Sequence, residues 1–169
     1  QESFTYTYLL ADSGSRKAIF IDPVAAKLEH YLQLLSDLNL ELVVAMDTHV
    51  HADHITALSV LREKTRCVTY LGNSGDIACA DNGLNDGEII TAGDIQLKVI
   101  YTPGHTNDSY CFFMQHHDEK LLFTGDTLLI RGSGRTDFQN GNPAELYDSL
   151  HNKLLTLPED TWVYPGHDY

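Results

Sequence analysis

Three imidazoles and a carboxylate fall within six residues in the stretch Thr48-His49-Val50-His51-Ala52-Asp53-His54. Imidazole nitrogen and carboxylate oxygen together suit iron, zinc or manganese, whereas a thiolate site would need clustered cysteines, which this chain lacks. A single His is usually structural, so the stronger argument is repetition. His105 lies in Tyr101-Thr102-Pro103-Gly104-His105-Thr106, Asp126 in Thr124-Gly125-Asp126, and His167 in Tyr164-Pro165-Gly166-His167-Asp168. Each follows a strand-like run and sits in a turn with Gly or Pro beside it. Gly lets the backbone turn tightly there, and Pro fixes φ and lowers the entropy lost in ordering the loop.

Those side chains need elements to hold them. Residues 41–47 (ELVVAMD) read as a buried strand that delivers the His cluster at its carboxyl end, where open α/β sheets place their chemistry. Upstream, Phe4 to Leu10 alternate aromatic residues with Thr, Asp12-Ser13-Gly14-Ser15 supplies a turn, and Lys17 to Ile21 returns, which predicts a β-hairpin ended by Asp22-Pro23. Leu28, Tyr31, Leu32, Leu35 and Leu38 repeat at helical spacing within residues 26–38. Ile55, Leu58 and Leu61 keep that spacing after Asp53, so a second helix is expected to start inside the cluster, and the purely structural role for Asp53 is its N-cap. Further strands are expected at residues 67–71, 88–90, 95–101, 110–114, 120–123 and 161–163, with loop over 73–87. Asn142-Pro143-Ala144-Glu145 reads as a capped helix start, with Leu146, Leu150 and Leu154 on the buried face. His30 and His151 fall in predicted helices, and His116 and His117 in a polar turn; all four read as surface residues.

The 169 residues suffice for one domain with a real core or for most of a larger one. A formal charge of −13 argues against nucleic acid or an anionic membrane surface as the main partner and favours small-molecule chemistry. No apolar run approaches the roughly 20 residues of a membrane span. Cys67, Cys79 and Cys111 are odd in number without CxxC spacing, which fits a reducing compartment; Cys79 is a weak redox candidate. The chain stops two residues past His167, where a fraying end would hold a ligand poorly, so a further C-terminal part is expected.

The order His49-x-His51-x-Asp53-His54, then His105, Asp126 and His167, resembles the metallo-β-lactamase superfamily. That resemblance implies an α/β fold, the αβ/βα four-layer sandwich, as a single domain over residues 1–169 with a metal site at one edge of two packed sheets. Within the superfamily, residues 124–139 (TGDTLLIRGSGRTDFQ) and 164–169 (YPGHDY) are similar to the persulfide dioxygenases of the ethylmalonic encephalopathy protein type. Those sulfur dioxygenases oxidise glutathione persulfide with dioxygen to sulfite and glutathione. Glyoxalase II, the nearest relative, shares the metal residues but usually carries a third His in place of Val50 and lacks the segment Arg131 to Phe138.

Carried over, the resemblance implies one Fe(II) per chain on His49, His105 and Asp126. His51, Asp53, His54 and His167, ligands of a second metal in a dinuclear hydrolase, become surrounding groups. Two His and one carboxylate leave three positions open on octahedral Fe(II), enough for a persulfide sulfur and dioxygen side by side. Asp53 and Asp168 are then the carboxylates that orient ligand imidazoles, and Tyr169 a hydrogen-bonding group near the iron. Arg135, with Arg131 second, is the candidate partner for a glutathione carboxylate; a local ion pair with Asp137 is the structural alternative. The implied setting is the cytoplasm, or the mitochondrial matrix in a eukaryote, and a homodimer is compatible with it. The competing readings are a glyoxalase II-like hydrolase of glutathione thioesters with two zinc ions bridged by Asp126, and a metal-binding fragment without turnover.

Overall fold

The computed structural model describes residues 4–72 and 80–169. Its first sheet runs β1 (Tyr8–Ala11), β2 (Lys17–Ile21), β3 (Glu41–Met46), β4 (Val68–Leu71), β5 (Asn82–Gly83) in that spatial order. Only the β1–β2 pair is antiparallel; β2, β3, β4 and β5 run parallel. Helix α1 (Leu28–Asp37) makes the crossover from β2 to β3, and α2 (Leu58–Thr65) that from β3 to β4. The second sheet has β6 (Ile89–Ala92), β7 (Ile95–Tyr101), β8 (Tyr110–His116) and β9 (Glu119–Gly125) as an antiparallel meander. To it β10 (Thr161–Pro165) adds in parallel beside β9. Between them, α3 (Pro143–Asp148) continues in π-helical geometry through Ser149–Leu154.

The two-residue period of the strands produces the layers. On β2, Ile19 and Ile21 face the other sheet, while Ala18 and Phe20 face α1 and α2. The inter-sheet core joins Ile19, Val44 and Met46 to Leu97, Phe112 and Phe123. Outside the first sheet, Phe20 and Ala45 meet Tyr31 and Leu35 of α1 and Leu58 and Leu61 of α2. Outside the second, Cys111 and Leu122 meet Leu154. Helices, sheet, sheet and helix follow in order, the expected αβ/βα sandwich. Each fully buried Phe contributes about 1.5–3 kcal/mol relative to exposure, and Phe20, Phe112 and Phe123 are all within this interior.

The topology also sets where chemistry can occur. Strand β7 is antiparallel to β8, and β8 to β9, so β7, β9 and β10 all point the same way. Their carboxyl ends meet the end of β3 at one edge: Tyr110 donates its backbone N–H to Thr48 O at 2.8 Å. Gly125, at φ 50°, stands so close to Thr48 that a Cβ would lie 2.4 Å from Oγ1.

Two expectations are corrected. The predicted first strand is shorter, because residues 4–7 leave the sheet: Tyr6 donates its N–H to Gly166 O at 2.8 Å and lies across the site edge instead. The second helix starts at Leu58, not inside the His cluster, and Asp53 does not cap it; its N-cap is Ala57, without a side-chain cap. Asn142 caps α3 as predicted, its side-chain oxygen accepting from Ala144 N at 2.9 Å and Glu145 N at 3.3 Å. Cys67 and Cys111 are buried free thiols, pushed up by burial, Cys111 to about 11, so both are inert. Cys79 lies outside the described residues. Among the described residues, no helix is long and apolar enough to cross a membrane.

Candidate metal centre

His49, His105 and Asp126 each offer a ligand atom within 4.8 Å of the others. They come from the ends of β3, β7 and β9. Hydrogen bonding dictates which imidazole nitrogen faces inward. The Asp22 carboxylate can only accept, so Thr48 Oγ1, 3.0 Å from Asp22 Oδ2, donates to it and accepts from His49 Nδ1 at 2.9 Å. His105 Nδ1 donates to the Arg135 carbonyl at 2.8 Å, and His167 Nδ1 to the Phe4 carbonyl at 3.2 Å. All three rings therefore turn an Nε2 lone pair inward. Yet His105 Nε2 stands 3.5 Å from Asp126 Oδ2, and His167 Nε2 3.5 Å from Asp126 Oδ1. Acceptor faces acceptor in a buried place, and Asp126 Oδ1 has no hydrogen-bond partner. A cation resolves that conflict, and an imidazole–carboxylate set fits a divalent transition metal. Burial, and then the charges of His51 and His105, hold His49 well below its ordinary pKa, so its lone pair is available at neutral pH.

His51, Asp53 and His54 form a second such group. Burial pushes His51 down, but Asp22, 3.0 Å from Nε2, together with Asp47 and Asp53, outweighs it and raises His51 to about 9. The metal-free protein thus holds His51 as a cation between carboxylates. Burial pushes Asp53 up, but Thr5, whose hydroxyl donates to Oδ2 at 2.8 Å, and His54, 3.2 Å from Oδ1, bring it to about 2. Burial and the His51 charge keep His54 low. His51 Nδ1 and His54 Nε2 are buried without hydrogen-bond partners, and these are the atoms a second ion would take. His167 joins both groups, with Nε2 4.0 Å from Asp53 Oδ2.

A cavity of about 240 Å³ opens over the first group, walled by Arg135, Phe138, Gln139 and Tyr169. Arg135 makes the local ion pair with Asp137, Nε–Oδ1 2.7 Å and Nη2–Oδ2 2.9 Å, while lining this mouth. Tyr169 is 88% exposed, its ring stacked on His167 at 5.0 Å. Arg131 and Asp168 are exposed and do not line the cavity.

Four site residues escaped the sequence reading: Thr5, Asp22, Thr48 and Gln139. Asp22 was findable, because it too is a carboxylate at a strand's carboxyl end, directly after Ile21 and before Pro23. Thr5 and Gln139 carry no such signal; long-range contacts alone bring them in.

Residues 2–167 match the profile of the metallo-beta-lactamase superfamily. Human "Persulfide dioxygenase ETHE1, mitochondrial" is 45% identical over 168 residues, covering 99% of this chain and 65% of the relative, so the chain spans about two thirds of that protein's length. A hydroxyacylglutathione hydrolase of Pelagibacter ubique is 35% identical over 166 residues, 97% of this chain and 66% of the relative. The crystal structure of ETHE1 from Myxococcus xanthus superposes with a TM-score of 0.92 at 49% identity, covering 99% of this chain and 72% of that one. With two stacked sheets, acid and imidazole groups gathered at their shared edge, and a match that runs nearly end to end, the chain belongs to the metallo-beta-lactamase superfamily.

Proposed function

We propose that residues 1–169 act as the catalytic domain of a persulfide dioxygenase that takes glutathione persulfide and dioxygen and holds one Fe(II) on His49, His105 and Asp126. The observation that carries this reading is that His49, His105 and Asp126 each bring one ligand atom within 4.8 Å of the others, with the His49 and His105 Nδ1 atoms tied up on their far sides. Similarity to the ETHE1 proteins supports the substrate.

Iron(II) held by His49, His105 and Asp126 would supply a binding point for the sulfur anion and dioxygen and the electrons for the oxidation. The chain's own groups do the rest. Thr48 and the Arg135 carbonyl fix the inward tautomers of His49 and His105. Phe138 and Tyr169 wall the mouth with aromatic surface. Arg135 stands there as the cation for a glutathione carboxylate, exchanging its Asp137 partner for substrate. The reaction balances as persulfide plus dioxygen plus water giving glutathione, sulfite and two protons.

A dinuclear hydrolase of glutathione thioesters is the second reading, favoured by the partnerless nitrogens His51 Nδ1 and His54 Nε2 and by the Pelagibacter relative. Oxygen uptake by iron-reconstituted protein separates the two. Consumption of one dioxygen per sulfite formed, lowered at least about 100-fold in Asp126→Ala, is expected, because losing a direct ligand exceeds the 10–100-fold effect of losing a supporting group. Hydrolysis of S-lactoylglutathione by a two-zinc form, without oxygen uptake by the iron form, would overturn the proposal.

A further inference from the structure

The segment after Asp126 does more than present Arg135 at the mouth: it is stitched to every strand end that carries the three-ligand group. Gly134 donates its N–H to Asp126 O at 2.7 Å, Arg135 O accepts from His105 Nδ1 at 2.8 Å, and Asn142 donates its N–H to Gly104 O at 2.8 Å. The fourth stitch is the only one of these made by a side chain of the segment: Gln139 Nε2 donates to Val50 O at 2.8 Å, across 89 residues of sequence. Val50 lies between His49 and His51. The segment packs as closely as it bonds, since a Cβ at Gly134 would lie 2.6 Å from His105 Nδ1 and 2.4 Å from Asp126 O.

Gln139 and Asn140 both sit in the left-handed region, at φ 46° and 59°. For a long side chain such as Gln that conformation is unfavourable and persists only where surrounding contacts impose it. Here it lets the amide reach the His49 loop.

We propose that Gln139 is a positioning residue of the metal centre, closing residues 134–142 into a clamp that holds the His49 loop at a fixed distance from His105 and Asp126. The proposal rests on the ligand assignment above but not on the oxidation chemistry. Without this bond the β3 end keeps its other stitch, Val50 N donating to Asp108 Oδ2 at 2.9 Å, so the fold survives while the ligand geometry loosens.

Cobalt(II) titration, followed through its visible d–d absorption, reads that geometry directly. Gln139→Met keeps the shape and removes the donor, and Gln139→Asn keeps the amide but shortens its reach. Both are expected to bind cobalt(II) about 10-fold more weakly, the lower end for loss of a group that supports metal ligands. The bands should shift and the metal-free melting temperature should stay at the wild-type value. Wild-type affinity and spectrum in Gln139→Met would overturn the proposal, and so would loss of folding in both variants, which would make the segment a structural staple. A wild-type protein that binds two ions would sink the mononuclear reading instead, and the ratio of variant to wild-type affinity would still decide the clamp.

Discussion

His51 shows how neighbouring carboxylates outweigh burial and set the charge of an imidazole. Its ring lies between Asp22 and Asp53, at 3.0 and 3.7 Å, and these carboxylates with Asp47 raise it to about 9 despite burial. Its folded pKa lies above the ordinary 6.5, so its contribution to stability is fully present below pH 6.5 and is lost as pH rises through 9. Asp47, raised by burial to about 7, acts in the same direction at lower pH: folding is disfavoured as it ionises between pH 3.8 and 7. The melting temperature of metal-free protein should therefore fall from pH 6.5 to 9, and His51→Gln should flatten that decline; an unchanged slope in the variant would refute the assignment. Thr5 is a second residue-scale test. Its hydroxyl donates to Asp53 Oδ2, and Thr5→Val should cost about 1.5–3 kcal/mol, the net worth of a hydrogen bond to a charged group, read as a lower denaturant midpoint at constant m value. His105, Asp126 and His167 were legible because each follows a Gly at a strand's end, and His49 because its cluster follows the apolar run of β3. Thr5 was not, since the alternation of Phe4 to Leu10 reads as continuous strand and only tertiary contacts pull residues 4–7 onto the site.

Strands place these groups, and their turns demand particular residues. Gly125 adopts φ 50° with its hydrogen where a Cβ would strike the Thr48 side chain, so Gly125→Ala combines backbone strain with a clash against the residue that orients His49. Metal affinity in this variant should drop together with stability, measured by competition with a chelator. Phe112 is the contrasting case: it is fully buried between the sheets, away from any ligand, and Phe112→Ala should cost about 3–5 kcal/mol through cavity formation. Elements with a clear two-residue or helical period, such as β2, α1 and β7, were legible from periodicity. The start of α2 was not. Ile55 keeps helical spacing by coincidence while standing 80% exposed, and the chain around it runs as loop, with Thr56 bridged to Val24, before the helix begins at Leu58.

The molecule as a whole is two sheets whose strand ends share one edge, and the candidate metal-holding groups come from both. His49 comes from the first sheet; His105, Asp126 and His167 come from the second. A bound ion therefore links the sheets, and binding to the folded state alone stabilises it by about 2.7 kcal/mol at 100 times the dissociation constant. Chelation should lower the melting temperature of wild type, and Asp126→Ala should show little further change on chelation. The sandwich was legible only through the resemblance of the ordered motif to the metallo-β-lactamase superfamily, since residue spacing alone gives strands and helices but not their layering. Nothing in the sequence marks residues 134–142 as a clamp, because their bonds reach across the whole site edge. The central claim is that His49, His105 and Asp126 together hold a single ion. Elemental analysis of protein dialysed against excess iron(II) without oxygen tests it most directly. One ion per wild-type chain, iron, falling to none in Asp126→Ala, is the predicted result, whereas two ions per chain would contradict the account.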